Sequence, residues 1–102
     1  MWERDFYDFM LGSLRKAPGM YIGKKNIYNL GTFICGYCIA TRIHRVEMKP
    51  DFFGSFYQFL KGKFKSDNTE WTGILAEITD GDELRAVDLF FTELELFYNS
   101  AH

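Results

Sequence analysis

Apolar residues recur three and four positions apart along most of this 102-residue chain, and this spacing limits its fold more than any other feature. In residues 5–16, for example, Phe6 and Met10 fall on one helical face, and the Pro18-Gly19 pair ends the pattern. No alternating apolar and polar run of useful length competes with it. The sequence therefore predicts an all-α fold of about five helices.

The second and third predicted helices contain most of the apolar middle of the chain. The second begins after Asn26, whose side chain can cap it, and it is apolar nearly all round, so we expect it to lie at the centre of the fold. It includes Cys35 and Cys38. The third is predicted to open at Pro50 and Asp51, since proline suits the first turn of a helix. Its apolar residues are Phe52, Phe53, Phe56, Phe59, Leu60 and Phe64.

A short fourth helix is predicted near Trp71–Ile78, after a polar loop at residues 66–69 and before the Asp80-Gly81 break. A strand over the same residues is the main alternative, and it would make the fold α+β. No linker or internal repeat divides the chain. We therefore expect residues 1–102 to form a single compact domain.

The last predicted helix follows Asp82, which can cap it, and extends to about Asn99. At helical spacing its polar residues fall on one narrow stripe, which we expect to face water. Only Glu93 interrupts the apolar remainder, so it lies either at the margin or at a site that requires a carboxylate. The stripe consists of Arg85, Asp88, Thr92, Glu95 and Asn99.

Hydropathy and the N-terminus predict a cytoplasmic protein. No apolar run reaches the roughly 18 residues that a membrane span requires, so no membrane partner is expected. The opening sequence "MWERDFYDF" lacks the basic flank and the apolar run of a secretory signal.

Charge is distributed unevenly along the chain, although the net charge is only −2. Residues 1–65 contain eleven Lys or Arg and five Asp or Glu, whereas residues 66–102 contain one and nine. The basic residues are scattered among predicted helix ends, and a nucleic-acid-binding protein would collect them on one surface. We therefore expect no nucleic-acid partner. The acidic third of the chain favours a basic protein as the partner.

The residues that could support catalysis or metal binding do not form a readable set. Cys35 and Cys38 have the spacing of a redox pair, but that chemistry needs a thiolate at a helix N-terminus, and these two fall within a predicted helix. We interpret them as reduced core residues. His44 is expected at the surface near a helix end, and too few ligands surround it for a zinc site. We predict no enzymatic activity, no metal and no cofactor.

Three features together resemble small bacterial immunity proteins, the cytosolic antidotes to polymorphic and contact-dependent growth inhibition toxins. They are "LRKAPGMYIG" followed by "IYNLGTFICGY", an isolated Trp71 in the second half, and the closing "DELRAVDLFFTELELFYN". These motifs span most of the chain and contain no catalytic signature.

The resemblance implies a stoichiometric inhibitor that binds a cognate toxin domain, often a nuclease, and covers its active site. An acidic antidote can occupy the basic cleft of a nuclease as a substrate mimic. Trp71 is a candidate aromatic anchor. The alternative interpretation is an acidic adaptor or regulatory module that binds some other basic protein. The candidate partner-binding residues are Asp80, Asp82, Glu83, Asp88, Glu95 and Trp71.

Overall fold

Helices account for all the regular secondary structure of the described residues. The computed structural model describes residues 5–46, 48, 50–52 and 54–100, and it contains no strand within them. The predicted all-α fold is confirmed, and the strand alternative is wrong, because Trp71–Ile78 forms a helix. Phe53, which we placed on the third helix, lies outside the described residues.

Six α-helices follow one another within these ranges, one more than the approximate number predicted. α1 continues directly into a π-helical turn over Met10–Leu14. The helices are α1 (Phe6–Phe9), α2 (Gly19–Ile22), α3 (Ile27–Ile43), α4 (Ser55–Phe64), α5 (Trp71–Ile78) and α6 (Glu83–Ser100).

Three of the helix starts depend on a capping side chain that can be recognised in the sequence. Asp5, Asn26 and Asp82 each accept a hydrogen bond from the backbone N–H three residues later, at 2.9, 2.8 and 3.1 Å. Each cap satisfies a backbone donor that has no partner within the helix. The predicted starts at Asn26 and Asp82 are therefore confirmed.

Two helix boundaries differ from the prediction. α2 forms where only a connection was expected, because Pro18 has a helical φ of −60° and its carbonyl accepts the Ile22 N–H at 3.0 Å. α4 begins at Ser55 and not at Pro50, so the predicted opening of the third helix is wrong. The intervening Gly54 has a φ of 82°, which no right-handed helix can include.

α6 is the central helix of the fold. It packs against the π-helical turn, α3, α4 and α5. Most of its apolar arc is buried, as the sequence pattern predicted, although Leu84 and Leu96 are 56% and 46% exposed. Its buried residues are Ala86, Val87, Phe90, Phe91, Glu93, Leu94 and Phe97.

α3 lies at the periphery, so the prediction that it is central is wrong. It buries one face, formed by Ile27, Leu30, Ile34 and Cys38. The opposite face is apolar as well but remains open: Tyr28, Ile39 and Ile43 are 55%, 48% and 71% exposed. The apolar residues all round α3 therefore form two apolar faces, one buried in the core and one exposed at the surface.

Phe56 connects the helices at the centre of the aromatic core. Its ring lies 5.1 Å from that of Phe52, 5.9 Å from Trp71, 5.6 Å from Phe90 and 5.5 Å from Phe97, measured between centroids. Most of these contacts are edge-to-face, the arrangement that aromatic quadrupoles favour. α4, α5 and α6 therefore share one set of interlocking rings.

Glu93 is a buried carboxylate that serves the packing of α4 on α6. Its side chain is 5% exposed, and its Oε1 atom lies 2.7 Å from Nζ of Lys63, which is 40% exposed. The lysine stem can cover the carboxylate while the ammonium group still contacts solvent. Glu93 therefore interrupts the apolar arc for an ion pair between α4 and α6.

Replacement of Lys63 should destabilise the protein, because Lys63→Met leaves the buried Glu93 carboxylate without its counter-ion. We expect a loss of about 2 kcal/mol in the free energy of unfolding, measured by urea denaturation. Lys61→Met on the same helix is the control and should cost well under about 1 kcal/mol. The double variant Lys63→Met, Glu93→Leu should recover most of the loss. Equal stability of the two single lysine variants would contradict this role.

Candidate partner-binding surface

The polar stripe of α6 faces water, as predicted. All five of its residues are exposed, and the two acids among them lie beside basic side chains from the N-terminal half of the chain. Asp88 Oδ1 is 2.9 Å from Lys25 Nζ, and Glu95 Oε1 is 2.6 Å from Arg15 Nη1. Because each acid is paired, the α6 stripe carries much less negative potential than its sequence indicates.

Asp80, Asp82 and Glu83 lie together at the turn between α5 and α6. Asp80 and Gly81 form this turn with φ values of 53° and 79°. Asp82 is committed to its capping bond, and Glu83 is 4.0 Å from Lys24, a distance that makes a weak, exposed pair. Asp80 is exposed and has no ion-pair partner among the described residues.

The acids of this turn continue into a longer stretch without any basic residue. Residues 66–84, here called the acidic segment, contain six Asp or Glu and no Lys, Arg or His. The segment comprises α5 and the loops on either side of it. Its acids are Asp67, Glu70, Glu77, Asp80, Asp82 and Glu83. Folding neutralises the α6 stripe but leaves most of this segment unpaired within the described residues, where only Glu83 lies near a cation.

Asn68 holds the first loop of the acidic segment against α5. Its backbone N–H donates to Ser66 Oγ at 3.0 Å, its Oδ1 accepts the Glu70 N–H at 3.1 Å, and its carbonyl accepts the Tyr57 hydroxyl at 3.0 Å. The side chain also lies directly against Gly73, where any Cβ atom would collide with it. The loop is therefore fixed, and Glu70 has a defined place at the start of α5.

Trp71 is half-buried and contributes both to the core and to the surface. Its ring lies 5.1 Å from Phe90, 5.8 Å from Phe52 and 5.9 Å from Phe56 between centroids. The same side chain lines an open groove on the outside of the molecule. The sequence left open whether Trp71 belongs to the core or to a site, and the structure places it at the boundary of the two.

The groove lies between α3 and the start of α5, and we call it the α3–α5 groove. It encloses about 700 Å³. Among the described residues that line it, Glu70 is the only charged one, and the others are apolar or aromatic residues, glycines and three threonines. The side chains that define it are Tyr28, Cys35, Ile39, Tyr57, Glu70 and Trp71.

A smaller pocket opens at the floor of this groove. It has a volume of about 160 Å³ and is bounded by Cys35, Cys38, Phe52, Trp71 and two glycines. None of these side chains carries a charge, so the pocket suits an apolar group. The groove and the pocket share Gly31, Cys35 and Trp71.

This groove is not among the sequence-based predictions, although the sequence contains a signal for the groove. Because the residues on the open face of α3 are apolar, the sequence places them in the core. The structure shows that α6 takes the central position, so this face of α3 remains outside the core. Tyr28, Ile39, Tyr57 and Glu70 were therefore not among the predicted site residues. The signal in the sequence was that α3 has more apolar residues than a single buried face of a helix requires.

The two cysteines occupy different environments, so their interpretation as a pair of core residues is half wrong. Cys38 is buried, whereas Cys35 is exposed in the groove. Burial, helped by the nearby Cys35 thiol, raises the pKa of Cys38 to about 11. Such a thiol remains protonated at neutral pH and is a poor nucleophile.

Neither a membrane span nor a metal site is found in the part of the chain that the structure describes. No helix there is long and apolar enough to cross a bilayer. No group of three or more His, Cys, Asp or Glu side chains there could hold a metal ion. His44 caps the end of α3 and is exposed, as predicted.

The two thiols should react at very different rates with a maleimide at pH 7.5. We expect one equivalent to be taken up rapidly by Cys35, and the second only when the protein is unfolded, because Cys38 is buried and protonated. Tandem mass spectrometry after timed quenching measures both rates, because both cysteines lie on the tryptic fragment of residues 26–42 and must be distinguished by fragmentation. Cys35→Ser should abolish the rapid phase. Rapid modification of Cys38 in the folded protein would contradict the structure.

Comparison with known proteins assigns the chain to no family. No protein-family model, curated protein or solved structure matches it. Function must therefore come from the acidic segment and the α3–α5 groove themselves.

Proposed function

We propose that this protein is a cytosolic immunity protein that binds a cognate toxin domain and covers its active site, with a nuclease as the expected toxin class. The observation that carries the proposal is the acidic segment, whose carboxylates stay largely unpaired within the described residues. Six acids follow one another in this segment without an intervening cation, and such a concentration of negative charge suits a basic cleft. The resemblance to immunity proteins supplies the class of partner.

Charge on the acidic segment would govern how fast the complex forms. Complementary potentials steer the encounter of two proteins and raise the association rate, and salt screens this effect. The exposed acids Asp67 and Asp80 have no ion-pair partner among the described residues, so they can act on a partner at a distance. Asp88 and Glu95, by contrast, are paired with Lys25 and Arg15, and these ion pairs must break before the two acids can pair with a partner.

Inhibition of this kind needs no chemistry from the inhibitor. The complex need only hold a carboxylate surface in the cleft where the toxin would bind its phosphodiester substrate, which excludes that substrate. We therefore propose no catalytic residue, metal or cofactor for the protein. Its place would be the cytoplasm of the cell that makes the toxin.

Co-expression with the C-terminal domain encoded by the gene immediately upstream tests the proposal directly. We expect growth rescue and recovery of a one-to-one complex. A harmless upstream domain, or one that kills despite this protein, would overturn the immunity function. Binding to a basic protein that is not a toxin would favour the adaptor function instead.

Two variants that remove the same number of charges then locate the electrostatic surface. Asp67→Asn with Asp80→Asn should slow association with the toxin domain about tenfold at low ionic strength, because both acids lie in the acidic segment. Asp88→Asn with Glu95→Gln is the matched control on the α6 stripe and should slow it less than threefold. Stopped-flow fluorescence measures both rates. The reverse order would assign the interface to α6.

A further inference from the structure

We propose that the α3–α5 groove seats an amphipathic basic helix of the toxin domain, with one apolar side chain of that helix in the pocket at its floor. This rests on the proposed function only for the identity of the partner. It assigns the residence time of the complex to the groove, whereas the proposed function assigns the association rate to the acidic segment.

The apolar lining of the groove is the first support. Tyr28 and Ile39 on the open face of α3 are 55% and 48% exposed, and Trp71 and Tyr57 form the opposite wall. Burial of apolar area stabilises a complex by roughly 25 cal/mol per Å² before the costs of association. Tyr and Trp are the residue types that most often dominate an interface.

The pocket at the floor supplies a specific anchor point. Its volume of about 160 Å³ is close to the roughly 150 Å³ of an apolar cavity that binds benzene. A leucine, methionine or phenylalanine side chain would therefore fit, and a charged side chain would be excluded by the cost of desolvation. The pocket shares Trp71 and Cys35 with the groove, so a side chain on a segment docked in the groove would enter the pocket beside them.

The backbone of the groove walls favours a helix over an extended segment as the occupant. The α3 wall uses its backbone donors and acceptors within the helix, and the described residues contain no strand edge with which an extended segment could pair. An extended segment would leave its own backbone groups unpaired in an apolar groove, whereas a helix satisfies them internally.

Charge complementarity selects a basic helix. Glu70 is the only charged residue among the described residues of the groove lining, and it is exposed at the start of α5. The neighbouring Asp67 belongs to the same unpaired acidic segment. Lys or Arg residues next to the apolar anchor would therefore meet carboxylates of this protein, and an acidic helix would be repelled.

Labelling of Cys35 after folding tests the groove without any risk to folding. Cys38 is buried, so pyrenyl maleimide should modify only Cys35 and place a bulky, uncharged group in the groove. The matched control is Cys35→Ser with Ala40→Cys, which carries the same label on an exposed position of α3 outside the groove. The probe is a 14-residue helical peptide of leucine and lysine with the leucines on one face, and binding is measured by calorimetry.

The peptide should bind unlabelled protein and bind at least tenfold more weakly after Cys35 is labelled. The label at position 40 should change its affinity less than twofold, and a scrambled peptide of the same composition should bind poorly. Equal effects of the two labels, or no binding to unlabelled protein, would overturn the groove proposal.

Charge reversal at two helix starts gives a second, independent readout. Glu70→Lys lies in the groove, and Asp8→Lys lies outside it in the first turn of α1, so both reverse an exposed acidic charge near the start of a helix. We expect peptide affinity to fall at least fivefold for Glu70→Lys and less than twofold for Asp8→Lys. A larger effect at Asp8 would overturn the assignment of the groove.

The same protein samples, measured against the upstream-encoded toxin domain, separate the two proposals. If the peptide docks as expected but the domain does not bind, the immunity function falls and the groove stands as a helix-binding site. If the domain binds and labelled Cys35 leaves its dissociation rate unchanged, the immunity function stands and the groove proposal falls. A dissociation rate at least tenfold faster after labelling supports both.

Discussion

The aromatic contacts of Phe56 with Trp71, Phe90 and Phe97 hold this fold together, because they join α4, α5 and α6 at one point. A chain of this length has little surplus core, so a few large interlocked side chains must supply much of its stability. The same contacts explain the surface. Once α6 takes the central position, α3 can bury only one of its two apolar faces, and Trp71 is left at the border between the core and the groove.

Ion pairs redistribute the charge that the sequence displays. The basic first two thirds and the acidic last third of the chain would form a strong dipole if they were kept apart. Folding instead brings Lys25 to Asp88 and Arg15 to Glu95, so the α6 stripe is neutralised by the chain itself. Each exposed pair contributes only about 0.2–1 kcal/mol to stability. Their larger effect is on recognition, since they leave α5 and its loops as the more negative surface.

The groove and the acidic segment meet at α5. The two proposed contributions to binding, electrostatic attraction and apolar contact, therefore act at neighbouring surfaces. Glu70 belongs to both, because it is an acid of the segment and lines the groove beside Trp71. Charge can act before contact and raise the association rate, whereas a filled apolar pocket acts only after contact and slows dissociation. The hydrogen bonds of Asn68 fix the loop before α5 and so hold the acidic segment in place beside the groove.

By itself, the sequence determined the helical class, the caps at Asn26 and Asp82, and the water-facing stripe of α6, because these depend on local spacing and on side chains within one turn. Only the tertiary structure decided which apolar helix is central, which acids lie beside a cation, and that Cys35 faces a groove while Cys38 is buried. The physical reason is that helical periodicity identifies apolar faces but not their partners. Whether a face is covered, or a carboxylate is paired, depends on residues such as Arg15 and Glu95 that are far apart in the chain and adjacent only after folding.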